Sequence, residues 1–124
     1  MILADTDILI AHLRGHPEAR DWLERTRRAG SIAISVVSIA EITGGMRSGE
    51  RREVWRLIAS LEVQPITQQV GRKAGELMRS FRRSHANISL GDYLIAATAE
   101  VEGLELATLN IRHFPMFEEL EPPF

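Results

Sequence analysis

The chain has 124 residues, of which 44% are hydrophobic and 26% are charged, and its formal net charge is -2 at pH 7. This composition excludes an intrinsically disordered chain, and the absence of cysteine excludes disulfides, thiolate zinc sites and a cysteine nucleophile. No apolar run approaches the roughly 18 residues of a membrane span, so we expect one domain over residues 1–124, located in the cytoplasm without membrane contact.

The first half of the chain is predicted to alternate between strands and helices. A buried strand, "MILA", leads into a helix, "TDILIAHLR", which ends at "GHP". Pro17 suits the first turn of a second helix, "PEARDWLERTRRA", which Gly30 ends. A second strand, "SIAIS", precedes a helix over "SVVSIAEITGGMRSG" with Ser35 or Ser38 near its start, and "ERREVWRLIASL" continues as helix.

The second half completes an α/β pattern. The short strand "EVQPI" contains Pro65 and therefore suits the edge of a sheet. Two helices follow, an amphipathic one over "TQQVGRKAGELMRSFRRSH" and a buried one over "DYLIAATAEVEG", and then a strand, "LELATLN". This alternation predicts a three-layer α/β/α sandwich with a small, mainly parallel sheet of about four or five strands. We expect Trp22, Trp55 and Phe81 in the core or in a dimer interface.

Positive charge is almost entirely arginine, because Lys73 is the only lysine among 15 cationic residues. The arginines cluster in "RTRR", "RSGERR" and "RSFRR". Arginine forks match phosphate oxygens, so these clusters suit a nucleic-acid backbone or an acidic protein partner. A solvated helix face explains them equally well.

Asp5 lies where the first strand ends and a helix begins. Aspartate is a favoured N-cap, which gives a purely structural reason for its presence. The carboxyl ends of parallel strands are also where α/β proteins bind ligands, so a functional role is equally compatible. Asp7 is interpreted first as an exposed residue at the start of the helix. The second interpretation is an acid that orients the groups in direct contact with a ligand.

Glu41 and Asp92 are two further acids in apolar surroundings. Glu41 is flanked by apolar residues within its helix, so we expect it to have a partner, either Ser38, an arginine or a ligand. Asp92 begins an apolar helix and is spaced from Ser89 as a capping box. The recurrence of the pattern in three segments favours a shared function over three separate structural roles.

If the fold gathers Asp5, Glu41 and Asp92, their mutual repulsion must raise a pKa or recruit a cation. Oxygen ligands in a chain without cysteine favour Mg²⁺ or Mn²⁺. Such an ion polarises a phosphoryl oxygen and activates water, which is the chemistry of phosphodiester hydrolysis.

Four blocks of the sequence together resemble one known family. In order, "ILADTDILI", "SVVSIAEITGG", "SLGDYLIAATA" and "LATLNIRHF" resemble the blocks of PIN-domain ribonucleases, especially the toxins of VapBC toxin-antitoxin pairs. The resemblance implies a metal-dependent endoribonuclease that cleaves RNA, forms a homodimer and is held inactive by a cognate antitoxin. It also implies that Asp5, Glu41 and Asp92 are the acidic metal ligands.

The fourth block departs from the fullest family pattern. Many members carry an aspartate where this chain has Asn110, and His113 follows nearby. We therefore expect Asn110 at the edge of the site, where it supplies a carbonyl oxygen or holds a water with less negative charge. The hydroxyls of Thr6 and Thr108 are interpreted first as ordinary strand-end groups and second as groups that bond to a water on the metal.

Two alternative functions remain open. The stretch "ILADTDIL" also resembles haloacid-dehalogenase-like phosphohydrolases, in which Asp5 would be the nucleophile, but these enzymes need a lysine and a later acidic pair. A noncatalytic PIN-like module that binds RNA or a partner is the other alternative, and Asn110 is its best support. His12 and His16 have zinc-helix spacing, but the helix is predicted to end there.

Overall fold

A computed structural model describes all residues from Met1 to Phe124. Four strands and six helices alternate along the chain. The strands are β1 Ile2–Ala4, β2 Ile32–Ser35, β3 Glu62–Gln64 and β4 Glu105–Ala107. The helices are α1 Thr6–Leu13, α2 Pro17–Ala29, α3 Val36–Gly45, α4 Arg51–Ala59, α5 Gln68–Phe81 and α6 Leu90–Glu102. None of these helices has the length and apolar character needed to cross a membrane.

The strands form one parallel sheet in the order β3-β2-β1-β4. The predicted three-layer α/β/α sandwich is therefore confirmed, with four strands, and β3 with its neighbouring Pro65 lies at an edge as expected. Strand residues alternate between the two faces. Ala4 and Ile34 belong to a core cluster shared with α1 to α4, whereas Leu3 and Leu106 belong to a second cluster shared with α5 and α6.

The helix ends agree closely with the predicted start and stop signals. Ser35 caps α3 by accepting a hydrogen bond from the Val37 N–H at 3.0 Å. Ser89 and Asp92 form the predicted capping box at the start of α6. The helix predicted to run to residue 49 ends earlier, at Gly45, and a short 3₁₀ turn over Ser48–Glu50 leads into α4.

Of the two predicted places for Trp55, the core is ruled out. Trp22 is buried against α1, but Trp55 is 45% exposed on α4. The buried face of α4 is formed instead by Val54, Leu57 and Ile58. Trp55 is therefore a surface residue of this chain, and its place in a dimer interface stays a prediction.

Candidate acidic site at the carboxyl edge of the sheet

Asp5 is the buried centre of a polar cluster where β1 ends. The residue is only 4% exposed, and it has two roles in the structure. Its Oδ1 atom accepts a hydrogen bond from the Thr6 N–H at 2.8 Å, which caps α1. Its Oδ2 atom accepts a hydrogen bond from the Thr108 hydroxyl at 2.7 Å, which joins the ends of β1 and β4. The predicted cap and a contact across the sheet edge therefore use the same carboxylate.

Thr6 connects this centre to Glu41. The Thr6 hydroxyl donates to Glu41 Oε1 at 2.7 Å and lies 2.8 Å from the Ser38 hydroxyl. Because Thr6 has one hydroxyl proton and gives it to the carboxylate, Ser38 is the donor to Thr6. Ser38 therefore reaches Glu41 through Thr6 and not by the direct hydrogen bond that was one of the expected alternatives. The Glu41 side chain is exposed to solvent and is not enclosed by its apolar neighbours.

The start of α6 approaches the same cluster. A Cβ atom at Gly91 would lie 3.6 Å from Glu41 Oε2, which places the chain beside Asp92 next to α3. Asp92 Oδ2 accepts the Ser89 N–H at 3.0 Å and lies 3.2 Å from His113 Nδ1. His113 thus contacts Asp92 at this edge of the sheet. Asn110 is exposed, and it lines a cavity of about 380 Å³ together with the other residues of 109–113.

Asp7 is closer to the cluster than its sequence position indicated. It is partly buried, so the expected exposed role at the helix start is wrong. Its Oδ2 atom accepts the Leu109 N–H at 3.0 Å and lies 3.4 Å from the Thr108 hydroxyl, and its Oδ1 atom is buried without a hydrogen-bond partner. No local sequence signal indicates this contact, because the two segments are about a hundred residues apart.

The cluster carries negative charge without a basic partner for most of its acids. The contact of His113 with Asp92 is the one pairing of a basic residue with an acid of this cluster, and no ion pair involves Asp5, Asp7 or Glu41. The alternative that an arginine pairs with Glu41 is therefore wrong.

Burial dominates the electrostatics of the two aspartates after β1. Burial, followed by the negative charge of Asp7, raises the pKa of Asp5 from 3.8 to about 7, and the charge of Asp92 adds a smaller increase. The hydrogen bonds from Thr108 and Thr6 act in the opposite direction. Burial also raises the pKa of Asp7.

These pKa shifts predict how stability depends on pH in the metal-free protein. Between about pH 4 and 7 the folded chain holds a proton on Asp5 that the unfolded chain has lost, so the free energy of unfolding should fall as the pH rises through this window. The expected change is on the order of a few kcal/mol. Urea unfolding in EDTA, compared between the wild type and Asp5→Asn, measures it, because asparagine removes the titrating group.

The stability of the wild type should decline relative to that of Asp5→Asn as the pH rises. Comparing the two proteins cancels the titration of carboxylates that do not interact with Asp5, whereas the titration of Asp7, whose charge acts on Asp5, differs between them. A difference that stays constant with pH, or that grows in favour of the wild type, would contradict the assignment of a raised pKa to Asp5.

A divalent cation fits the donors of this cluster. All the candidate ligands are oxygen atoms, the acids at its centre lack basic partners, and one buried carboxylate oxygen of Asp7 has no partner. As the side chains are placed, no three acidic or histidine residues converge closely enough to hold an ion between them. The assignment of Asp5, Glu41 and Asp92 as metal ligands therefore stays a prediction.

The fold and this edge agree with one protein family. The sequence matches the PIN domain family over residues 2–119, and the chain belongs to that family. Within the family it belongs with the VapC ribonucleases. It is 66% identical to Ribonuclease VapC10 of Mycobacterium tuberculosis (strain ATCC 25618 / H37Rv), covering 100% of this chain and 93% of that protein.

Two further relatives agree with this placement. Ribonuclease VapC19 of the same strain is 40% identical, with 100% of both chains covered. Among solved structures, a toxin-antitoxin complex from Klebsiella pneumoniae contains a chain that is 26% identical, with a TM-score of 0.83 and coverage of 100% of this chain and 98% of that one. The family resemblance read from the four sequence blocks is confirmed.

Proposed function

We propose that this VapC-type chain is an endoribonuclease toxin that hydrolyses RNA phosphodiester bonds with Mg²⁺ or Mn²⁺ held by Asp5, Glu41 and Asp92. The observation that carries the proposal is the acidic cluster at the carboxyl edge of the sheet, where hydroxyls rather than basic residues contact Asp5 and Glu41. The agreement with ribonucleases over the full chain supports the same reaction.

The residues of the chain have separate tasks in this proposal. Asp5, Glu41 and Asp92 supply negative charge and oxygen ligands. The Thr6 and Thr108 hydroxyls fix the orientation of Glu41 and Asp5 through bonds of 2.7 Å each. When bound, the divalent ion polarises the phosphoryl oxygen and lowers the pKa of a coordinated water.

Asn110 and the arginines are assigned to the periphery of the reaction. Asn110 is exposed after β4, where its amide is free to contact RNA or a water molecule. Three exposed arginines, Arg79, Arg82 and Arg83, lie at the end of α5, and the following loop leads to Asp92. Their guanidinium groups suit the phosphate backbone of an RNA strand that approaches the acids.

The phosphohydrolase alternative lacks the lysine that its mechanism requires beside the nucleophilic aspartate. That mechanism needs a lysine beside the nucleophile, and Lys73, the only lysine, instead pairs with Glu100 at 3.1 Å and Glu76 at 3.6 Å. Asp5 has no basic partner that would hold it ionised for nucleophilic attack. No observation favours the phosphohydrolase alternative. A cleavage assay distinguishes the proposed ribonuclease from a noncatalytic binding module.

Cleavage of RNA by the purified chain should depend on a divalent cation. We expect internal cleavage in Mg²⁺ or Mn²⁺, loss of cleavage in EDTA, and recovery when Mn²⁺ is added back. Electrophoresis of an end-labelled RNA measures it, with a second RNA preparation incubated without protein as the control. Cleavage that persists in EDTA would contradict the metal assignment, whereas RNA retention without cleavage would support the binding module.

The proposed partners are an antitoxin and a second copy of the chain. The toxin-antitoxin complex among the structural relatives supports an antitoxin partner for this chain. A cognate antitoxin is best sought in a small reading frame next to the gene, by co-purification with this chain. Light scattering of the purified chain tests the proposed homodimer.

A further inference from the structure

Asp7 has contacts that capping of α1 does not explain. One of its oxygens, Oδ2, accepts the Leu109 N–H at 3.0 Å and so holds the chain just after β4. The other, Oδ1, is buried and has no hydrogen-bond partner. The cap of α1 is provided by Asp5, so this role does not require Asp7.

The hydroxyl of Thr108 shows how close the two aspartates are. It lies 2.7 Å from Asp5 Oδ2 and 3.4 Å from Asp7 Oδ2. A hydroxyl has one proton, which goes to the nearer oxygen of Asp5. Asp7 therefore receives little compensation from Thr108, and no arginine, lysine or histidine forms an ion pair with it.

A carboxylate that lies beside Asp5 and lacks a basic partner is less favourable in the metal-free chain than when a cation is near. An asparagine at this position would keep an acceptor for the Leu109 N–H and would avoid the repulsion between the two aspartates. The negative charge of Asp7, rather than its hydrogen-bonding capacity, is thus the property that needs an explanation.

The geometry points to Asp7 as a further acid of the cation site, which strengthens binding of the ion at Asp5 by adding a negative charge from the start of α1. This inference rests on the proposed function, because it requires that Asp5, Glu41 and Asp92 hold a divalent ion. It also explains how the site tolerates Asn110 after β4, since the charge at the end of that strand then comes from Asp7.

Direct binding of Mn²⁺ to the full chain tests the inference without an activity assay. Titration calorimetry or the electron paramagnetic resonance signal of free Mn²⁺ gives the affinity for the wild type, Asp7→Asn and Asp7→Ser. The matched control is Asp21→Asn, an exposed aspartate on α2 next to Arg20. We expect both Asp7 variants to bind Mn²⁺ about 10- to 100-fold more weakly and the control to bind like the wild type.

The outcomes separate this inference from the proposed function. If Asp7→Asn binds Mn²⁺ as tightly as the wild type does, Asp7 only holds the loop after β4 and the inference is overturned, while the proposed function stands. If the wild type binds no Mn²⁺, both are overturned. Circular dichroism shows whether each variant folds. If Asp7→Asn does not fold, the Mn²⁺ affinity of Asp7→Ser decides whether Asp7 contributes to the cation site.

Discussion

Asp5→Asn should lower the single-turnover rate of RNA cleavage by about 100- to 1,000-fold, as is typical when a preorganised electrostatic group is removed from an active site. The substitution keeps the shape of the side chain, and asparagine is as good an N-cap as aspartate. The start of α1 should therefore remain intact. What the variant loses is the negative charge of the most buried acid in the cluster.

A fluorogenic RNA in Mn²⁺ measures this rate, and circular dichroism verifies the fold. Asp21→Asn is again the matched control, because it makes the same chemical change at an exposed site. We expect the control to cleave at the wild-type rate. A rate for Asp5→Asn within about twofold of the wild type would remove Asp5 from the proposed reaction.

Phe114→Ala should lower the free energy of unfolding by about 3–5 kcal/mol, which is the usual cost of truncating a buried phenylalanine. Phe114 is completely buried in the core cluster beneath α5 and α6. It directly follows the 3₁₀ turn over Ile111–His113, so it also anchors the segment that carries Thr108 and His113 to the sheet. A cavity at this point is expected to loosen that segment.

Urea denaturation at one protein concentration measures the loss. Phe124→Ala provides the comparison, since the Phe124 ring lies at the surface and contacts Trp22 from one side. We expect Phe124→Ala to cost far less than Phe114→Ala, and Phe114→Leu to lie between them because it leaves a smaller cavity. Equal losses for the two alanine variants would show that Phe114 does not anchor the core as the structure indicates.

Local signals in the sequence were sufficient to predict the elements of the fold. Pro17 at the start of α2 and the Ser89–Asp92 box of α6 act within a single turn of helix, so their effects can be read from spacing alone. The short strands were predicted slightly too long, because sequence pattern alone does not show where pairing with a neighbouring strand stops. β4, for example, ends at Ala107, before Thr108 turns toward Asp5.

Burial on the short helices was harder to predict. Apolar neighbours in sequence suggested an enclosed Glu41, yet residues next to each other on a helix point in different directions. Ser38 and Ile42 lie on the buried face of α3, whereas Glu41 lies on the exposed face. Trp55 lies outside the core for the same reason, because Val54, Leu57 and Ile58 form the buried face of α4.

Contacts within the acidic cluster depend on the tertiary fold. The Thr108 hydroxyl bonds to an acid 103 positions earlier in the chain, and the Thr6 hydroxyl bonds to one 35 positions later. Neither spacing has a local signature, which is why both threonines were interpreted as ordinary strand-end groups. The sequence points to the acids and to the two hydroxyls at this edge, but it does not reveal that Thr108 donates to Asp5 and Thr6 to Glu41.

The pairing of β4 with β1 has a consequence for the order of events during translation. A nascent chain carries Asp5 and Glu41 long before Thr108 leaves the ribosome, and Asp92 precedes Thr108 by one helix and one short strand. Until residues 105–108 emerge, β1 lacks a neighbour on one side and Asp5 lacks its donor from β4. The acidic cluster at the carboxyl edge of the sheet therefore gains its last strand, and Asp5 its hydrogen bond from Thr108, only when synthesis of the chain is nearly complete.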